Sequence, residues 1–369
     1  MLKKKFVLLI LFFWVAAPGF VLAEVRIASW NIQHLGWQND KSYQAVARVA
    51  SQYDFLAIQE LMNAEGIERL EAMLEEKTEE SWSSIYSHRL GTSTYLEKYA
   101  FLWRDSAVQY VEGAVVYLDD ADVFAREPFS AVFRSTNTGQ EWVAATVHVV
   151  YGRRISDRTP EIHALRGYWD WLGEIYPEHQ EYRMLLGDFN LRPGHPAWAE
   201  LREVAKPLVT RGATTLSTHD RQYANLYDNI WVPKKHGLSI SKAGIDRFPQ
   251  SLSQTTPHYW SHEKARAHVS DHAPVYALLG DVERHPLRSG ELYVPNRIGS
   301  SGDRPAKQAC IDLNESSRSA LTRLPHVGPA RADQIVDGRP WGGVGDLESV
   351  RGLGGERVRD ISQSGLLCD

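Results

Sequence analysis

Five short blocks, far apart in the chain, each carry an acid, an amide or a histidine: Ser29–Gln33 (SWNIQ), Ile58–Glu60 (IQE), Val147–Val149 (VHV), Gly187–Asn190 (GDFN) and Ser270–Pro274 (SDHAP). Four of the five end, or lie just beyond, an apolar run of β type. Strand ends in a layered sheet converge on one edge, so blocks distant in sequence can share a site. The candidate strands are Val25–Trp30, Phe55–Gln59, Ala100–Trp103, Ala114–Leu118, Trp142–His148, Met184–Gly187, Asn229–Val232 and Pro274–Leu279. They are short, rich in Val, Ile, Tyr and Trp, and bounded by turn residues. Ser42–Ser51, Asn63–Glu76 and Pro160–Ile175 instead repeat apolar residues at helical spacing. Strands with interspersed helices, but no regular βαβ alternation, predict two packed sheets with helices outside. That is an α+β fold, a four-layer αββα sandwich.

The chain ends are set apart from this pattern. Residues 1–23 read as a secretory leader: a basic start, an unbroken apolar run from Phe6 to Val15, and a small residue, Ala23, at the expected cut. The protein is therefore expected to be periplasmic or secreted, with no stable membrane association after cleavage, and a monomer. Cleavage removes three lysines and no acid, which takes the formal charge from −5 to −8. An acidic chain acting on a polyanion must concentrate positive charge locally, or use metal ions and backbone amides. Residues 281–308 are polar, with three prolines and a Gly-Ser run, and read as a linker. Beyond it, Cys310 and Cys368, the only two cysteines, bracket the last segment. In an oxidising compartment they are expected to form a disulfide that stabilises the segment by roughly 4 kcal/mol.

The blocks carry a coherent chemistry. Glu60, Asp188 and Asp271 sit where an unpaired charge would be costly. With no cysteine or histidine cluster beside them, oxygen donors of this kind suit Mg²⁺, with Mn²⁺ or Ca²⁺ as alternatives, rather than zinc. His148 and His272 are candidates for general acid–base work, and Glu97 and Asp228 are available to orient them. The stretch Arg153, Arg154, Arg158 is basic, and reads equally well as a phosphate contact or a solvated loop.

Residues 25–280 resemble the endonuclease/exonuclease/phosphatase superfamily, in its deoxyribonuclease I-like branch. SWNIQ, IQE, YLEKYAFLWR, FAREP, HVVYG, GDFN, YDNIWV and SDHAPV occur in that family's order. The resemblance implies that Asn31 and Glu60 hold a divalent metal with Asp271 close by. It implies that His148 and His272 flank the scissile phosphate, oriented by Glu97 and Asp228. Asp188 and Asn190 would contact the phosphate and the attacking water, and Tyr95 and Arg126 the nucleic-acid backbone. Two features depart from the branch. Glu60 is followed by Leu61 and Met62, where the branch carries a basic residue that enters the minor groove, and the cysteine pairs of the mammalian secreted enzyme are absent from this region.

Residues 309–369 contain two similar glycine hairpins, Leu324–Ala332 and Val350–Val358. Gly328, Gly352 and Gly354 permit close backbone approach, and amides at a following helix start can bind phosphate without net basic charge. The segment resembles a tandem helix-hairpin-helix domain of the kind found in competence DNA receptors, a small all-α domain. That implies DNA binding, with Arg331 and Arg357 as the basic candidates. The organisation expected is leader 1–23, catalytic domain 24–280, linker 281–308 and DNA-binding domain 309–369. The activity expected is a divalent-metal-dependent DNA endonuclease with little sequence specificity. Two rivals share the blocks: a phospholipid or sugar-phosphate phosphodiesterase, and a non-catalytic DNA-binding or uptake protein.

Overall fold

The structure, a computed structural model, describes residues 24–37, 39–92, 95–219, 222–255, 259–287, 310–316, 318–364 and 366–368. The expected leader lies outside the described residues, as does 288–308 of the expected linker. No helix of the described residues is long and apolar enough to cross a membrane.

The chain runs β1 (Val25–Leu35), α1 (Tyr43–Ala50), β2 (Phe55–Leu61), α2 (Ala64–Thr78), β3 (Trp82–Tyr86), β4 (Lys98–Arg104), β5 (Val108–Val116), β6 (Phe129–Ser135) and β7 (Glu141–His148). It continues through α3 (Ile155–Ile175), β8 (Arg183–Asp188), α4 (Leu201–Val204), β9 (Ala205–Pro207), β10 (Asp228–Pro233), β11 (Ile240–Ile245), α5 (Phe248–Thr255), α6 (His262–His268) and β12 (Val275–Leu279). Two six-stranded sheets form, ordered β11-β12-β1-β2-β4-β3 and β5-β6-β7-β8-β10-β9. Each has a parallel pair at its centre, β1 with β2 and β7 with β8, flanked by antiparallel neighbours.

Period-two alternation explains the four layers. On β1, Val25 and Ile27 face the other sheet, among Phe55, Phe101, Phe133 and Trp142. Ala28, Trp30 and Ile32 face outward, onto α1, α2 and α5. On β8 and β10, Met184, Leu186, Ile230 and Val232 point between the sheets, whereas Leu185 and Trp231 point to α3 and α4. This is the expected αββα sandwich. The helices begin at sequence-coded caps: Ser42 Oγ accepts from Ala45 N at 3.3 Å, and Asn63 Oδ1 from Gly66 N at 2.9 Å.

Strands β3, β6, β9 and β11 and helices α4, α5 and α6 lie outside the expected elements, two expected elements begin earlier, and one arginine has a different setting. β5 starts earlier than Ala114, because two bulges break its alternation and Gly113 and Ala114 take positive φ. α3 begins before Pro160, because the Asp157 carboxylate accepts the amides of Arg153 and Arg154 at 2.8 and 2.9 Å and starts the helix there. Arg158 is not in a solvated loop: it lies in α3, buried under Tyr151, and donates to the Asn190 carbonyl.

In the last segment, α7 (Arg318–Leu321), α8 (Pro329–Asp337) and α9 (Gly355–Gln363) enclose their own small core. The two hairpins match bond for bond. Gly328 and Gly354 are the N-caps of α8 and α9. His326 and Gly352 are the left-handed residues, with φ of 64° and 85°. Arg331 Nη1 donates to His326 O at 2.6 Å, as Arg357 Nη1 does to Gly352 O at 2.8 Å. Each arginine thus closes its own hairpin. The expected Cys310–Cys368 disulfide is present, with Cα atoms 4.8 Å apart.

Candidate active site

The central parallel strands of both sheets end at one edge, and the strands beside them run the opposite way and begin there. Asn31 and Glu60 lie at the C-terminal ends of β1 and β2, and His148 and Asp188 end β7 and β8. Asp228 opens β10, Glu97 precedes β4 and His272 precedes β12. One packing decision therefore collects residues from the whole length of the sandwich. Gly187 permits it locally: a Cβ there would lie 2.0 Å from Val147 O. Only glycine lets β8 lie this close to β7 with His148 and Asp188 in register.

Two histidine–carboxylate pairs face each other across Asp188. His148 Nδ1 is 2.8 Å from Glu97 Oε1, and His272 Nδ1 is 2.8 Å from Asp228 Oδ2. Their outward nitrogens, Nε2 in each case, lie 3.5 and 3.6 Å from the same oxygen, Asp188 Oδ2. All five side chains are buried. Burial alone would lower the pKa of His148, but the Glu97 and Asp188 carboxylates outweigh it and raise the imidazole above its ordinary value. The same contest, with Asp228 and Asp188, holds His272 well above it. Asp188 is depressed: burial pushes it up, and the two histidines overcome that.

The supports are equally specific. The backbone N–H of His148 donates to Tyr99 Oη at 2.8 Å, and its carbonyl accepts from Arg126 Nε and Nη2 at 3.1 and 2.8 Å. Arg126 Nε also lies 3.3 Å from Glu97 Oε1. Arg126 is thus nine-tenths buried and engaged with the His148–Glu97 pair. On the other side, Ser270 Oγ accepts from His272 N at 3.0 Å and donates to Asn31 O at 2.6 Å, while Trp30 Nε1 donates to His272 O at 2.7 Å. Asn190 N donates to Asp188 Oδ1 at 2.9 Å, and its Nδ2 donates to Val149 O at 2.8 Å.

Asn31 bridges the sheets. Its Nδ2 lies 3.0 Å from Glu60 Oε1 and 3.2 Å from Asp188 Oδ2. Glu60 Oε2 accepts from His34 N at 3.0 Å. Asp271 is turned to Arg266, with Nη1 to Oδ2 at 3.2 Å. Beside them Lys41 is buried, its Nζ donating to Val269 O at 2.7 Å. Burial lowers its pKa to about 8, against the pull of Asp271 and Glu60. Tyr95 stands edge-on to His34 next to Glu60, and burial, Glu60 and Glu97 all raise its phenol. Among the described residues, Asp188, Asp228 and His272 also place potential ligand atoms within 4.8 Å of one another.

The structure thus gathers Asn31, Glu60, Glu97, His148, Asp188, Asn190, Asp228 and His272 into one site, with Asp271, Tyr95 and Arg126 at its margin. Sequence reasoning missed Tyr99, Ser270, Trp30 and Lys41. Ser270 and Trp30 lie inside quoted blocks, so their position was the available signal. Lys41 had none, since a lysine at a helix start ordinarily reads as solvated.

Known proteins resemble this chain in sequence and in fold. The sequence profile of the "Endonuclease/Exonuclease/phosphatase family" matches residues 28–272. The chain is 58% identical over 354 residues to a protein named "Deoxyribonuclease" from Thioalkalivibrio sp. (strain K90mix), covering 96% of this chain and 95% of that one. It is 31% identical over 293 residues to "Deoxyribonuclease-1-like 2" from Homo sapiens, covering 70% of this chain and 92% of that one. The solved structure of an endonuclease/exonuclease/phosphatase family protein from Bacteroides thetaiotaomicron superposes with a TM-score of 0.51 at 16% identity, over 70% of this chain and 98% of that one. That last likeness shows the fold alone.

Proposed function

The chain belongs to the endonuclease/exonuclease/phosphatase family, and on that premise we propose that it is an exported, divalent-metal-dependent endonuclease that hydrolyses phosphodiester bonds of DNA with little sequence specificity. The observation that carries this reading is the pair of acid-oriented histidines aimed at one point from both sheets, 3.5 and 3.6 Å from Asp188 Oδ2. In-line hydrolysis needs one group to take the proton of water and another to protonate the leaving 3′ oxygen. Glu97 and Asp228 fix the Nδ1 side of each ring, which leaves each Nε2 free to do one of the two. Asp188, between them, orients both, and Asn190, held by Asp188 and Val149, faces the phosphate.

The residues fit a divalent cation. The Glu60 and Asp188 carboxylates both accept from Asn31 Nδ2, at 3.0 and 3.2 Å, so one amide gathers two hard oxygen donors of the kind Mg²⁺ takes, and turning that amide would add its own oxygen. Asn31 and Glu60 would hold the ion, with Asp271 near. When bound it would neutralise the phosphate and stabilise the charge on the leaving oxygen.

The C-terminal segment is the second DNA contact in this proposal. Its net charge is not basic, but the amides of α8 and α9 beyond Gly328 and Gly354 can receive phosphates, with Gly352 allowing close approach. Arg331 and Arg357 act through the hairpins they close. Such contacts carry no base information, which supports low specificity.

The test is nicking of supercoiled plasmid by the mature protein in Mg²⁺, Mn²⁺ or Ca²⁺ and in EDTA, beside Glu60→Ala. Metal-dependent nicking, abolished in the variant, is expected. A folded protein that fails to cut in every metal overturns the reading.

A further inference from the structure

The rim beside Glu60 carries an aromatic surface with no role in the sandwich. Trp37 is 45% exposed, whereas Trp30, Trp142, Trp198 and Trp231 are fully buried. An indole left half in water gains little from folding. One side of it is covered by His34, with ring centroids 4.2 Å apart and planes at 25°. Tyr95 stands edge-on to both rings, at 5.9 Å from His34 and 6.0 Å from Trp37. His34 is in turn fixed to Glu60 Oε2 by its backbone N–H at 3.0 Å, with its ring Nε2 at 3.4 Å.

The backbone that presents this stack is costly. Gln33, His34 and Glu60 all have positive φ, of 26°, 55° and 59°. They coincide with the register shift where β1 and β2 part between Asn31 and Leu35. Gly36 closes the turn at φ +101°, where a Cβ would lie 2.4 Å from Asn63 Oδ1. Asn63 Nδ2 then holds Gly36 O at 2.6 Å, and Trp37 N donates to His34 O at 3.2 Å. Strain concentrated beside a reactive centre, and locked by its surroundings, is a device for holding something in place. Here the things held are two stacked rings.

Leu61 and Met62, next along the chain from Glu60, are buried. Neither therefore covers the rim, and the exposed face it offers is the flat one of Trp37. A flat apolar ligand face attached to a phosphodiester is a nucleobase. We propose that Trp37, backed by His34, is a stacking platform for an unstacked base of the DNA strand flanking the scissile phosphate. The inference rests on the DNA-hydrolase reading above. Bases inside a regular duplex have both faces covered, so the platform favours bulges, frayed ends and single strands over perfect duplex.

The experiment uses the full mature chain carrying His272→Ala, to bind without cutting, and two DNA probes. One carries 2-aminopurine as a single-base bulge, and the other carries it paired within duplex. Base–aromatic stacking predicts roughly tenfold tighter binding of the bulge, with quenched fluorescence. Adding Trp37→Ala should remove the quench and the preference and leave duplex affinity unchanged, while Trp37→Phe keeps the preference. Thermal melting of each variant checks the fold. Equal discrimination and equal quenching with and without Trp37 would overturn the platform. If the wild type cuts plasmid normally in that case, only this inference falls. If the wild type neither cuts nor binds DNA, both readings fall.

Discussion

Replacing Cys310 and Cys368 together by serine should unfold the C-terminal segment and spare the sandwich. The bond joins residues 58 apart in sequence. Closing a loop of that length removes about 14 cal/mol/K of chain entropy from the unfolded state, or about 4 kcal/mol at 25 °C. Against this stands a small core of twelve buried residues, from Ile311 to Ile361. With the bond in place, a segment with so small a core has a net stability of only about 3–5 kcal/mol. The difference is close to zero, so the serine variant should be folded in this segment only about half the time. Hydrogen exchange is the direct assay. Amides of α8 and α9 should lose nearly all protection, while those of β1, β2, β7 and β8 keep theirs, since the sandwich contains no cysteine. Cleavage at saturating DNA should be unchanged, and cleavage at dilute DNA weakened as the second contact is lost. Retained protection in α8 and α9, corresponding to a loss below about 1 kcal/mol, would refute the reasoning. It would mean that the two hairpins are stable by packing alone.

The orienting acids give a second prediction: Asp228→Asn and Glu97→Gln should each lower kcat by about 10²–10⁴ with the fold intact. Because each carboxylate raises the pKa of its histidine, each substitution should also move one limb of the kcat–pH profile to lower pH; wild-type rates in either variant would remove that acid from the mechanism. Lys41 gives a third. Its pKa falls from 10.5 unfolded to about 8 folded, so between those values the unfolded chain holds a proton that the folded chain has released. Stability should therefore rise with pH from about 8 to about 10.5, by roughly 3 kcal/mol in all, and the full cost of burying the charge is present below pH 8. Urea titrations at several pH values should show this slope reduced in Lys41→Met, and identical slopes would show that Lys41 stays charged.

The strand–helix order was legible because each central strand has apolar residues on both faces and a polar residue at its end. Val25–Trp30 and Phe55–Gln59 read as strands for that reason. Other strands were not legible. β11 is mostly exposed or half-exposed along its length, so it lacks the apolar face that marks a strand. β6 reads as FSAVFRS, in which serines and an arginine interrupt the apolar run, though most of it is buried. In the site, His148, His272, Asp188 and Glu60 could be named because a charge at a strand end needs a reason. Arg126 could be named but not placed. Its bonds go to the carbonyl of His148 and to Glu97, contacts between residues from three separate stretches of the chain, and no local pattern encodes them. Arg331 and Arg357 behave alike: position marked them as important, and the structure shows that each closes a hairpin.

The two halves of the site come from different sheets, and this decides what keeps it in register. Asn31 and Glu60 belong to the first sheet, and His148 and Asp188 to the second. Direct ties across include Asn31 Nδ2 to Asp188 Oδ2 at 3.2 Å, His148 N to Tyr99 Oη at 2.8 Å and, one layer deeper, Gln59 Nε2 to Thr146 Oγ1 at 2.7 Å. His272 joins them differently: its strand β12 lies in the first sheet, but its orienting acid, Asp228, opens β10 in the second. Neither histidine–carboxylate pair can therefore be assembled by one sheet alone. The distance between them is fixed by the inter-sheet packing of Phe55 against Phe133 and Trp142, with ring centroids 4.7 and 5.9 Å apart. Close-packed aromatics of this kind have little freedom to slide, so the buried centre of the sandwich sets the geometry of the edge that carries the candidate site. The fold and the chemistry are in this sense one constraint, which is why residues hundreds of positions apart appear in the sequence as matched strand-end blocks.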